Sequence, residues 1–399
     1  MKLSTITIAL LSGMLLSCGG GRPELPELQL SADGEIVWEG WTTATLVAGG
    51  DTLDGRIHYR GGISAGYPKH SLALKLDERY PLCGLPADKD WILNANYIDK
   101  TFMRHKLCYD LFRLMDEEVN RAPLCAYATL TVDGHGQGLY VVMQKMDAST
   151  LGIDKGDSTS VIFKEPPVMY DERIEPQDPD NYYQQTFPKK RKDDRTAQAE
   201  AIVAFLQDSP DEVFRAEVGQ WFDLKNIADW QLLLLLSNNA DGLRKNFFLY
   251  KVGDATPYRV APWDYDHSFG RDGDNEPNML RDTVDCNRAV LLRRLWQWPE
   301  YRSHVARRWQ QLRTEGLFTE ATLNRMIADN AAQIEAAVKA NELLWPVDND
   351  IYYDANHFDA ELDIMREFIG RNIERLDILF NRILENEKSY LTTHKHNGF

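Results

Sequence analysis

Three oxygen-bearing side chains, Asp241, Asn246 and Asp264, stand in an order that suits phosphoryl transfer. That chemistry asks one carboxylate to orient the attacking hydroxyl, while an amide oxygen and a second carboxylate hold Mg²⁺ against the phosphates. Asp241 and Asn246 are five residues apart; two β-prone runs then turn at Gly253-Asp254, and the chain returns to Trp263-Asp264-Tyr265-Asp266-His267-Ser268-Phe269-Gly270. Asp241 reads as the orienting carboxylate, Asn246 and Asp264 as metal ligands, and Asp266 as a further metal candidate. Taken singly, each has an ordinary alternative: Asp241 stops a helix, Asn246 caps a strand, and Asp266 bonds its own turn. Asp264 and Asp266 also fit a D-x-D pair holding a metal and a nucleotide sugar. Only the joint order favours phosphoryl transfer.

Phosphate groups also need cationic contacts. Lys75 lies in the strand-like SLALKL, where Ser71, Ala73 and Lys75 share one face and Leu72, Leu74 and Leu76 the other, so it points either into a cleft or to water. Arg60 and Arg104 are alternatives, because a guanidinium fork suits phosphate oxygens, and Lys145 is a weaker candidate. No G-x-x-x-x-G-K-[ST] loop exists, which excludes a P-loop enzyme. Gly134, Gly136 and Gly138 read as a hairpin turn, since no helix follows them.

These groups need elements to hold them. From Glu35 to Leu76 short β-prone runs alternate with Gly and Asp turns. A helix is predicted over 99–115 with Asp99 as its cap, followed by a hairpin of 125–132 and 138–143. Residues 166–195, rich in Pro, Asp and Tyr, read as a linker or insertion. From Ala197 helices dominate, one of them capped by Asp223, interrupted by the two β-prone runs that precede Trp263. The layout is α+β: a β-rich N-lobe at 35–165 and a helical C-lobe at 196–399, with a cleft between them as the usual place for a ligand.

The 399 residues carry a formal charge of −16 and a pI near 5.1, which argues against nucleic acid as a partner and favours a basic protein. Residues 1–17 combine Lys2 with an apolar run too short to span a bilayer, the pattern of an export signal. Leu15-Leu16-Ser17 before Cys18 resembles a bacterial lipobox, which implies cleavage before Cys18 and lipidation of its sulfur. Residues 18–34 then read as a tether, and the protein as exported and lipid-anchored on the periplasmic or cell-surface face of a bacterial membrane. The other cysteines, Cys83, Cys108, Cys125 and Cys286, read as free thiols rather than two disulfides.

An Asp with an Asn five residues on, a hairpin, and an Asp shortly before Phe-Gly is the order found in protein kinases, and here it resembles the spore coat protein H (CotH) kinase family. The resemblance spans roughly residues 45–385. It rests on Arg60, Gly61, Ser64, Tyr67, Pro68, Lys69 and Lys75-Leu76, then on Asp90-Trp91, Leu93, Ala95-Asn96-Tyr97, Asp99-Lys100-Thr101, Arg104 and Lys106. It implies an atypical, bilobal kinase-like fold and transfer of phosphate from ATP, with Mg²⁺ or Mn²⁺, to Ser or Thr hydroxyls of a basic partner. In that scheme Asp241 is catalytic, Asn246, Asp264 and Asp266 face the metal, and Lys75, Arg60 and Arg104 are candidates for ATP. The chain departs from the family pattern at Gly62-Ile63 and at Gln144, where Asn and Glu are usual. The rival readings are a non-catalytic surface lipoprotein binding a glycan or protein, and a D-x-D glycosyltransferase.

Overall fold

The computed structural model describes residues 24–170, 178–271, 283–346 and 356–395. The export signal, Cys18 and the acidic run from Asp272 to Glu276 lie outside the described residues.

Alternating apolar residues build the first part. Strands β1 (Glu27–Ala32), β2 (Thr42–Ala48), β3 (Asp51–Arg60), β4 (Ser71–Tyr80), β5 (Asp88–Asn94), β6 (Cys125–Val132) and β7 (His135–Gln144) close into a barrel in the order β1-β2-β3-β4-β5-β7-β6. Every neighbouring pair is antiparallel except β1 with β6, which is parallel. Leu28, Leu30, Leu46, Leu72, Leu74, Trp91 and Val142 fill the interior. The expected tether therefore ends early: Leu28 and Leu30 alternate with exposed neighbours, and that pattern makes 27–32 a barrel strand. At the β6–β7 turn Asp133 and Gly134 both take left-handed backbone (φ 49 and 77), the two-residue turn that matches strand twist.

The barrel shares a wall with the rest of the molecule. Ile92, Tyr127, Val141 and Met143 face outward from β5, β6 and β7 and join the core formed by the helices, which is why Leu139 to Met143 is an unbroken buried run. Helix α1 (Arg104–Met115) packs in this seam. It starts later than the sequence predicts, because Phe102 reverses the chain at φ 58. Asp99 still serves the helix from outside, accepting the Arg104 N–H at 3.0 Å.

A second, antiparallel sheet runs in the order β11-β10-β8-β9, from β8 (Val161–Lys164), β9 (Gln185–Phe187), β10 (Phe247–Lys251) and β11 (Arg259–Pro262). It corrects two expected boundaries. β8 lies inside the expected N-lobe but pairs with β10, since Val161, Ile162 and Phe163 are all buried and need cover on both faces. β9 gives the expected insertion a strand.

The helices are α2 (Thr196–Asp208), α3 (Asp211–Trp221), α4 (Leu224–Ser237), the single turn α5 (Asp241–Arg244), α6 (Val290–Trp296), α7 (Pro299–Thr314), α8 (Glu320–Leu344) and α9 (Phe358–Lys395). α4 is buried along nearly its whole length, its leucines packed in the core and its buried Asn226 and Asp229 paired with Asn120 and Arg308. Asp223 caps it as predicted, accepting the Asn226 N–H at 3.3 Å.

Lys69 bolts barrel to helices. Buried, it donates to Ala95 O at 3.1 Å, to Asn341 Oδ1 of α8 at 2.9 Å and to Leu139 O of β7, over the Tyr140 ring. Gly138 (φ 81) allows this: a Cβ there would lie 2.5 Å from Asn341 Oδ1. Cys83, Cys108, Cys125 and Cys286 are free thiols.

Candidate active site

The site grows from the end of α4. Asn238 closes that helix in left-handed backbone (φ 54), its N–H returning to Leu234 O. Asn239 Oδ1 then accepts the Gly242 N–H at 2.8 Å and sets up α5. Gly242 leaves little room for a larger residue, because a Cβ would sit 2.9 Å from the Leu234 side chain and 3.0 Å from the Tyr265 hydroxyl, and these would have to move. Asp241 opens this turn about one-third exposed, with Lys245 Nζ at 3.2 Å.

Asn246 follows, also left-handed (φ 53) and buried. Its backbone O accepts the Trp263 N–H at 2.9 Å, and its Nδ2 donates to the Asp264 carbonyl at 3.1 Å, so its own amide oxygen is not spent on that bond. Asp264 is the second strained position (φ 55). Its N–H goes to the Tyr109 hydroxyl at 3.0 Å, and the Tyr265 N–H to His105 Nδ1 at 2.8 Å. Beyond it Ser268 Oγ bonds Tyr265 O, Phe269 N–H bonds Ser237 O, and Gly270 (φ 97) packs where a Cβ would meet Ile364 at 2.9 Å. The segment is held almost residue by residue.

Donor atoms of His105, Asp264 and Asp266 all lie within 4.8 Å of one another. The Asp264 side chain is 51% exposed, yet the protein packed around it raises its pKa; the Asp266 charge raises it further, and His105, Arg60 and His267 pull it back. Two neighbouring carboxylates, with the Asn246 amide bonded to the same segment, form a donor set suited to a hard divalent cation. The residues therefore fit Mg²⁺ or Mn²⁺.

Arg60 belongs to this neighbourhood. Its guanidinium lies 5.9 Å from the Trp263 ring centroid and interacts with the Asp264 charge. Glu165 also reaches it, unforeseen from sequence. Following β8 in left-handed backbone (φ 50), it has a carboxylate whose pKa burial raises and Asp264 raises further, while Lys164, at 3.7 Å, and Lys245 lower it. Lys245 thus connects Asp241 to the field around Asp264. His105 was missed as well; its only signal was its position four residues before Tyr109, which puts both on one helix face.

Two expected phosphate contacts are corrected. Arg104 is fully buried and spent elsewhere: it donates to Asp99 at 2.6 Å, to Glu361 at 2.9 Å and through Nε to Ser268 O at 2.9 Å. A guanidinium fork fits carboxylates as well as phosphates, and here the carboxylates have it. Lys75 stands on the outer face of β4, 3.6 Å from Asp90, an aspartate it shares with Lys145 at 3.7 Å. By strand register it lies about 13 Å along the sheet from the residue opposite Arg60, and among the described residues no contact joins it to the Asp264 cluster.

The CotH kinase protein family profile matches residues 57–376. Inner spore coat protein H of Bacillus subtilis (strain 168) is 25% identical over 330 residues, covering 81% of this chain and 86% of that protein. The crystal structure of the Helicobacter pylori proinflammatory kinase CtkA aligns with 91% of this chain and 98% of its own, at a TM-score of 0.37 and 8% identity, a likeness too slight to fix the fold.

Proposed function

The chain belongs to the CotH kinase protein family, and from that premise we propose that it transfers the γ-phosphate of ATP to Ser or Thr hydroxyls of an exported or surface protein. In this reading the barrel and the helical part act as the two lobes of a kinase-like fold. The observation that carries it is the tie between Asn246 and Asp264, bonded to each other through side chain and backbone, with Asp266 beside them and Asp241 one short turn away.

Asp241 receives the acceptor hydroxyl and orients it, its charge balanced by Lys245. Asn246, Asp264 and Asp266 hold the divalent cation, which when bound neutralises phosphate oxygens. Arg60 offers its guanidinium to the charge that develops on transfer. The surplus of acidic residues draws a basic acceptor. Export and a lipid on Cys18 keep the protein at a membrane; Cys18→Ser should then move it from the membrane fraction to the soluble one.

Labelled ATP, Mg²⁺ or Mn²⁺ and basic Ser-rich peptides test the activity. Transfer is expected, and Asp241→Asn should slow it by about 10²–10⁴-fold while leaving the unfolding midpoint in place. Nucleotide binding without transfer, or preferential use of a nucleotide sugar, would overturn the assignment in favour of a binding module or a glycosyltransferase.

A further inference from the structure

One face of α1 is turned to the segment that carries Asp264. Two consecutive backbone N–H groups, of Asp264 and Tyr265, end on two side chains one helical turn apart, Tyr109 and His105. The two rings stack, with centroids 6.0 Å apart and planes 22° from parallel. His105 is buried, with little room to turn.

These bonds fix the imidazole proton. A ring nitrogen that accepts an amide N–H does so with its in-plane lone pair and carries no hydrogen, so the neutral His105 ring bears its proton on Nε2. That Nε2 faces Asp264 Oδ1 at 3.7 Å. A protonated ring nitrogen has no in-plane lone pair left for a cation. The donor atoms of His105, Asp264 and Asp266 cluster as a three-ligand site would, but only the carboxylates are free to ligate.

We propose that His105 is a positioning residue and not a metal ligand. Its Nδ1 holds the Tyr265 amide, and with Tyr109 it keeps the strained Asp264 backbone in place. Its Nε2–H is directed at the Asp264 carboxylate, biasing one oxygen toward the ring and leaving the other for the cation. The role rests on the metal-binding reading of Asp264; the proton assignment does not.

Long-range ¹H–¹⁵N spectra of the full chain, with ¹⁵N-labelled histidine and no metal, test the assignment directly. His105 should show a protonated Nε2 and an unprotonated Nδ1; a proton on Nδ1 would overturn the proposal. With Mn²⁺ as the probe, electron spin echo modulation should lack a directly coordinated imidazole nitrogen, and its presence would sink the idea. His105→Leu should weaken Mn²⁺ binding about 10–100-fold, and His105→Gln, which keeps an N–H donor, should recover most of it; equal losses in both would mark a ligand. If native chain fails to bind Mn²⁺, the metal reading of Asp264 falls, while the histidine spectra still decide the proton.

Discussion

Asn246 and Asp264 both sit at φ near +55°, where side chains larger than glycine are rarely at ease. The Asn246 amide bonds the Asp264 carbonyl, and the Asp264 N–H is held in turn by Tyr109 of α1. Asn246→Ala should therefore cost about 2–3 kcal/mol, from left-handed alanine plus one lost hydrogen bond, seen as a lower urea midpoint, and should abolish transfer too. Spacing made Asp241, Asn246, Asp264 and Asp266 legible, since they stand within one short stretch whose order itself is a signal. His105 and Glu165 come from elements far away in sequence, and no spacing announces them. Arg104 was misread because sequence records that a guanidinium is present, not whether carboxylates 99 and 361 close around it.

At the level of elements, period-2 alternation exposed most of the barrel, and the Asp133-Gly134 turn was visible as a hairpin. What alternation does not show is which strand pairs with which. β8 lies within the range expected for the N-lobe, yet its partner β10 lies beyond α2, α3 and α4, and β1 reads as a tether until β6 is seen alongside it. The junction of β7 with α8 was equally hidden, because Lys69, Gly138 and Asn341 are ordinary residues until they meet. Gly138→Ala should cost about 1–3 kcal/mol of overpacking. In urea unfolding, Asn341→Ala in the same chain should give a combined loss smaller than the sum of the two, because the clash needs the Asn341 oxygen.

The molecule as a whole is drawn together by a buried ionic cluster. Asp99, Arg104, Arg271 and Glu361 join the residues before α1, the end of the Asp264 segment and α9, and Arg104 also holds Ser268 O. Burial pushes the Asp99 and Glu361 carboxyls up, but the arginine charges and hydrogen bonds outweigh it and leave both below their ordinary values. Carboxyls lowered on folding add stability that is complete above their unfolded values, about 4, and is lost as pH falls through the lower folded ones. Acid titration of the urea midpoint should show that loss, and Glu361→Gln should flatten it. The same variant should cost about 3–5 kcal/mol at neutral pH, since Arg271 and Arg104 would both lose a carboxylate while staying buried, Arg104 keeping Asp99.

The early start of β1 also sets how far the folded body can stray. Glu27 is nine residues from Cys18, and a fully drawn-out chain of that length covers at most about 32 Å. Fatty acylation of Cys18 would moor the start of β1 within that distance of the bilayer. Acceptors would then have to come to it: neighbours on the same leaflet, or proteins passing close overhead.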